Sequence, residues 1–449
     1  MVDKAFKFTL LDRLFVGILL VVFVGIVVHA PLSVAFSSLF PQYQVLIKSW
    51  KEILMLVAGL LMIIILYKRK KFEILKSPLI LLIAAYAGLH LLLVFLSSTG
   101  ITALIAGLFI DLRYLLFFGL AYVAMCLYPS LRRPFVLLFF VGAFIVAAFA
   151  LLQVFVLPHD FLKYLGYNES TIAAYLTVDQ NPQFIRINST LRGPNPLGAY
   201  AVIVLALVFA YWLKVKPSKQ RRPFLVMSVI VIGSVVALWA SYSRSALIAA
   251  FAATGVIITA VIGRRISRKA WIAILIGVVI VAGGLFAARN SNFVSNVVLH
   301  DNGATGAAVN SNQGHVTSLE DGVGRMIHQP LGGGIGSTGS ASLYGSSPLI
   351  VENQYLFIAH EAGWLGLGLF LVILFVVLRG LCRARADWLA LGVFASGIGL
   401  ALIGLLLPVW VDDTVAIIWW GLAAVVLGGN KVRGDSDGRK INKKTKRAA

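Results

Sequence analysis

Residues 132–157 read RRPFVLLFFVGAFIVAAFALLQVFVL. Two arginines open the stretch, and from Pro134 no charge follows for 24 positions. A hydrocarbon core about 30 Å thick needs about 20 apolar helical residues to cross it. The stretch therefore reads as a membrane-spanning helix with a cationic flank. The same pattern recurs near 11–29, 49–67, 78–96, 105–128, 197–213, 224–240, 246–262, 270–287, 354–378, 388–408 and 414–428. The expected fold class is an all-α, polytopic integral membrane bundle of about twelve transmembrane helices. The first run is too long and too polar at its flanks for a cleavable signal peptide.

Composition agrees. The chain has 449 residues, 59% hydrophobic and 13% charged, where a soluble domain carries about 25% charged residues. This excludes an ordinary soluble domain, and the hydrophobicity excludes a disordered chain. Two cysteines, Cys126 and Cys382, cannot make a disulfide framework. The net charge of +21 is first a topology signal, because cytoplasmic loops collect Lys and Arg. With both termini cytoplasmic, 30 of the 39 basic residues face inward. That predicts an inner-membrane protein with residues 1–430 as one transmembrane domain and 431–449 as a basic, disordered cytoplasmic tail. Two long loops, about 158–196 and 288–353, then lie outside, away from ATP and nucleotide sugars. The bilayer is an expected partner and nucleic acid is not.

Nine basic residues escape the inward count. Lys48 and Lys51 flank the second helix and are expected to snorkel to the interface. Lys163 and Arg289 sit in polar loop or beside a helix end. Arg113, Arg186, Arg192, Arg244 and Arg325 are costlier, because an ionisable group near the membrane is paired or functional. Guanidinium forks match phosphate oxygens and stay charged, so their convergence would suit a diphosphate. Arg192 leads into GPNPLGAY (193–200), where prolines impose extended backbone before them. Asn195 then lies at the start of a helix whose free N–H groups suit an anion.

Three further features stand out. Arg244 lies in SYSRSA (241–246), a polar break between apolar helices. GGGIGSTG (332–339) satisfies G-x-G-x-x-G, but no strand precedes it and no βαβ unit follows. It reads as a tightly turned loop beside the site, with Gly334 able to lend a backbone amide. VENQYLFIAHEAGWLG (351–366) carries Glu352 and Asn353 at a helix start, then His360 and Glu361 two turns deeper. Glu352 is expected to cap the helix or act as a base, and His360 to pack in the core or act in the site. No His, Cys or carboxylate spacing calls for a metal, and no cofactor is expected.

These motifs, in this order, resemble the bacterial O-antigen ligase and O-antigen polymerase superfamily over about 110–425. The resemblance implies a metal-independent, inverting membrane glycosyltransferase of the outer face. Its donor would be a polyprenyl-diphosphate-linked glycan, and its acceptor a hydroxyl of a glycan or lipid-linked molecule. The diphosphate-binding arginines carry over to Arg186 and Arg244, with Arg192 and Arg325 as neighbours. The catalytic candidates are Glu352, His360 and Glu361, and Asn195, Asn353 and Gly334 belong to the substrate loops. Ligases of the family commonly place a histidine directly before the motif asparagine. Here that residue is Glu352, which points to a polymerase-like or otherwise divergent member. The alternative from another class is a secondary transporter or flippase for a lipid-linked or anionic solute.

Overall fold

The computed structural model describes residues 8–178, 181–215, 224–263 and 311–448, together with isolated positions between 264 and 310. In chain order the helices are α1 (Leu10–Gly25), α2 (His29–Leu39), α3 (Gln44–Lys48), α4 (Trp50–Arg69), α5 (Pro78–Val94), α6 (Ile101–Leu127) and α7 (Arg132–Phe155). A short antiparallel hairpin, β1 (Leu176–Val178) and β2 (Asn181–Arg186), leads to α8 (Pro194–Lys214), α9 (Phe224–Ala240) and α10 (Arg244–Ile262). Then come α11 (Ser311–His328), the single turn α12 (Gly339–Ser342), α13 (Gln354–Arg383), α14 (Trp388–Ile403) and α15 (Asp413–Ala448).

Among the described residues, eight helical segments are long and apolar enough to cross a membrane. Pro78–Val94, Leu225–Ala240 and Trp388–Ile403 are apolar but shorter. Every apolar run of the sequence outside 270–287 thus coincides with a helix. The run at 270–287 falls almost wholly outside the described residues. Apolar side chains such as Leu60, Leu92 and Phe251 lie on the outer surface of the bundle, as a lipid solvent permits.

The last helix is the axis. α15 packs along α6, and its Trp419 and Trp420 close with Trp410 into a fully buried aromatic triad with centroids 5.1–5.6 Å apart. Close approach needs missing side chains: a Cβ on Gly428 would lie 2.8 Å from the Tyr122 carbonyl oxygen.

Charges gather at both ends of α1. Thr9 and Asp12 form a capping box at its start. Asp12 also takes Arg69 at 2.6 Å and the Tyr128 hydroxyl at 2.5 Å, while Arg132 meets Asp387. All six residues come from segments expected on one side of the membrane.

At the far end a buried ionic cluster forms. Lys51 lies 3.2 Å from Glu52 and 3.0 Å from Asp413. Arg113 lies 3.6 and 3.7 Å from the same carboxylates and donates to the Val411 carbonyl. His29 contacts Asp413 at 3.3 Å. Lys51 is only 3% exposed, so it does not snorkel as its sequence position suggested. Its partner, 362 positions later in the chain, draws it inward. Two cations face two anions, the balance that makes buried charge tolerable.

Lys51→Met leaves Arg113 as the one cation against two carboxylates. We expect a loss of about 3–5 kcal/mol, the range for breaking a buried pair, read as a lowered melting temperature of the detergent-purified protein. Orientation is tested by Ser130→Cys and Ser347→Cys, both exposed positions, in a background without Cys126 and Cys382. An impermeant thiol reagent should label position 347 on spheroplasts and position 130 only after permeabilisation. The reverse pattern overturns the orientation.

Candidate functional site

The hairpin ends at Arg186, beside the break between α9 and α10. The Ile187 amide donates to the Ala240 carbonyl at 3.2 Å. Arg186 Nε donates to the Ser241 carbonyl at 2.9 Å, and its Nη2 to Asn195 Oδ1 at 2.6 Å. The break itself is tight: Tyr242 has φ 48°, and Ser241 Oγ accepts the Ser243 amide at 3.2 Å. The helix restarts at Arg244. Gly198, one turn into α8, lets the two motifs touch, since a Cβ there would lie 2.8 Å from Ala246 Cβ and 2.9 Å from Ser241 Oγ. Arg186, Asn195 and the 241–244 break are therefore one unit.

A cavity of about 220 Å³ opens beside this unit. Arg192, Asn195 and Pro196 line one wall, and Leu407, Pro408 and Asp412 the other. The second wall is held from behind by the E-N-Q-Y stretch. Asn353 Nδ2 donates to the Leu405 carbonyl at 2.7 Å, the Gln354 amide to the Gly404 carbonyl at 2.9 Å, and the Trp410 amide to Gln354 Oε1 at 2.7 Å. Asn353 is the residue that caps α13, accepting from the Tyr355 and Leu356 amides. The capping role expected of Glu352 thus belongs to its neighbour. Glu352 precedes the helix, half-buried, with its amide donating to Ser318 Oγ at 3.3 Å.

Asp412 is the residue that the sequence reading missed. Burial and the adjacent Asp413 push its carboxyl up to about 6, against the opposing pull of the Val415 amide, Arg192 and Arg113. The signal was present as the acid pair Asp412–Asp413 before the last apolar helix. Asp413 belongs to the ionic cluster, so the cavity and the cluster share a wall. Arg113 is absorbed by that cluster.

His360, Glu361, Gly334 and Arg325 belong to a second assembly, built around the glycine loop. α13 is broken at Gly363, whose φ 67° and ψ −171° are not helical. The loop fills the break: the Gly333 amide donates to the His360 carbonyl at 2.6 Å, and the Trp364 amide to the Pro330 carbonyl at 2.9 Å. The Glu361 carboxylate accepts from the Gly336 and Thr338 amides, and Thr99 donates to the Ile335 carbonyl at 2.7 Å. Glu361 is 1% exposed. Both its oxygens are occupied, so it fastens the loop and is no open base. By the same token these two loop amides serve Glu361 and not an external oxyanion. Gly334, with φ 99°, packs on Ser97. His360 is buried, with its ring against Gly333 and its Nδ1 without a hydrogen-bond partner. Arg325 lies on α11, exposed, one residue before the Met326 carbonyl that accepts Trp364 Nε1 at 2.7 Å. Among the described residues no group of three His, Cys, Asp or Glu side chains is placed to hold a metal ion.

No curated protein matches the chain. Residues 229–371 match the family model described as O-Antigen ligase. The matched segment carries Arg244, the glycine loop, Glu352, His360 and Glu361, while Arg186, Arg192 and Asn195 precede it. The apolar helices make the chain a multi-pass membrane protein, and its segment 229–371 is similar to the O-antigen ligase family.

Proposed function

We propose that this protein transfers a glycan from a polyprenyl-diphosphate carrier to an acceptor hydroxyl on the outer side of the inner membrane. The observation that carries the reading is the joining of Arg186 and Asn195 to the 241–244 break, beside a cavity that Arg192 lines. A guanidinium held by a backbone carbonyl and an asparagine is pre-oriented, and preorganised charge is what a departing diphosphate needs. The diphosphate is itself the leaving group, so the outer face needs no nucleotide. Arg186, Arg192 and Arg244 neutralise it, and no metal ion is required; Arg325 stands with the glycine loop, apart from the cavity. Attack in a single displacement inverts the anomeric centre.

Glu352 takes the acceptor proton. It stands beside Asn353, which braces the cavity's second wall, whereas Glu361 is committed to the loop. Glu352 in the place of the ligase histidine favours polymerisation, in which the acceptor is another glycan. A transporter or flippase reading gives the glycosyl chemistry no role.

In a reconstituted assay with lipid-diphosphate glycan, Arg186→Ala and Arg244→Ala should abolish transfer while the protein stays folded in detergent. The lysine variants should remain severely impaired, because one ammonium does not reproduce the fork. Wild-type activity in both alanine variants removes the diphosphate role. Glu352→Gln should bind donor normally and transfer roughly 10²-fold more slowly, the scale of general-base loss; an unchanged rate sends the search for the base elsewhere. After deletion of the gene, shortened surface chains identify a polymerase, unattached chains a ligase, and lipid-linked units trapped inside a flippase.

Asp412 gives a pH test. Its folded value lies above the ordinary aspartate value of 3.8, so its contribution to stability is present below about 4 and is lost as pH rises through about 6. Asp412→Asn keeps the cap on the Val415 amide without a charge. It should raise the melting temperature above pH 6, by a free energy of order 1 kcal/mol, with little change near pH 4. An unchanged difference across that range refutes the assignment.

A further inference from the structure

Behind the glycine loop lies a second group of ionisable side chains that the proposed transfer does not use. His90 on α5 is fully buried and Asp111 on α6 is 6% exposed. His90 Nδ1 lies 2.9 Å from the Tyr86 carbonyl. A carbonyl only accepts, so Nδ1 carries the hydrogen. In a neutral imidazole the other nitrogen, Nε2, is then a lone pair. It faces Asp111 Oδ2 at 3.5 Å, and neither atom has a hydrogen-bond partner. An ionised carboxylate is also purely an acceptor. Two buried acceptors facing each other repel and satisfy nothing, a costly arrangement at membrane depth. One proton between them resolves it, as an imidazolium beside a carboxylate or a carboxylic acid donating to imidazole.

We propose that His90 and Asp111 form a proton-binding site within the membrane, holding one proton between Nε2 and Oδ2 and leaving the pair neutral overall. The surroundings fit a neutral pair. From α5 the site faces Tyr86, from α6 Tyr114, and from α13 Glu361, whose electrostatic partners include Asp111. Arg113, two positions beyond Asp111, pairs with Glu52 and Asp413 instead. Glu361 holds the loop through the Gly336 and Thr338 amides. With the proton bound, the pair adds no net charge beside the Glu361 carboxyl that holds the loop. Without it, Asp111 sets a negative charge beside that carboxyl, and the loop's fastening weakens. The proton is thus the counter-charge that keeps the glycine loop seated.

The site is testable without glycan transfer. Full-length protein in lipid nanodiscs is titrated from neutral to alkaline pH under infrared difference spectroscopy. One proton should leave per chain, with loss of a protonated-carboxyl or an imidazolium band. Asp111→Asn and His90→Gln should both lack this signal, since either amide supplies the missing donor itself. Hydrogen exchange over residues 334–340, corrected for intrinsic base catalysis, is the second readout. Wild-type protection should fall roughly tenfold or more as the proton leaves, in the manner of local opening; Asp111→Asn should stay protected throughout, and His90→Gln, which leaves Asp111 charged, should be unprotected at every pH. If one variant does not fold, the other decides. A difference spectrum that neither substitution alters, a protection profile shared by wild type and both variants, or a signal governed by sodium ions instead of pH each overturns the proposal.

Discussion

In hydrocarbon a backbone amide has no water to turn to, so every break in a helix must be repaired by protein. The break at Gly363 shows what that constraint builds. A left-handed φ in mid-helix frees the His360 carbonyl and the Trp364 amide, and the chain returns 330–333 to meet both. The helix and the glycine loop are therefore one structure: neither has satisfied hydrogen bonds without the other. Glu361, next to the break, then fixes the loop's following turn, and α6 approaches so closely that a Cβ on Gly107 would lie 2.5 Å from the Gly336 amide nitrogen. A motif that resembles a nucleotide-binding turn by spacing is glycine-rich because three helices leave it no room.

The same scarcity of solvent organises the charges. Lys51, Glu52, Arg113 and Asp413 neutralise one another at one end of α1, and Asp413 is joined by peptide bond to Asp412 in the cavity wall. The cavity's position is thereby tied to α1, α4, α6 and α15 at once. On the opposite wall Arg192 and Asn195 line the cavity, and Asn195 is held by Arg186, itself oriented by the Ser241 carbonyl at the helix break. The cavity thus has a mostly apolar wall carrying Asp412 on one side and Arg192 with Asn195 on the other.

Helix positions were legible because a lipid solvent leaves an unmistakable mark: long apolar runs between basic clusters. The convergence of Arg186 with the SYSRSA break was legible too, since unexplained arginines at outer junctions are rare. Partner identity was not. Lys51 looked like a snorkelling lysine because its carboxylate partner Asp413 is distant in sequence. Glu352 and Asn353 are adjacent, and composition does not say which side chain turns back to cap the helix. Glu361 looked like a free acid because the amides it binds belong to a loop about 25 positions earlier. For Lys51 and Glu361 the answer lay in a long-range contact, and for the cap in a side-chain rotation that composition does not encode.

That difference bears on how His360 and Glu361 are understood beside Glu352. Within four turns of one helix, three ionisable residues meet three different environments. Glu361 has its oxygens filled by amides, His360 is pressed against Gly333, and Glu352 stands outside the first turn, half-buried beside the residues that brace the cavity. A group that must take a proton from an incoming hydroxyl needs a vacant lone pair and a path for the acceptor. The loop withholds a vacant lone pair from Glu361, and burial under the loop withholds an acceptor path from His360. In the proposed transfer the acceptor proton therefore goes to Glu352, at the helix mouth.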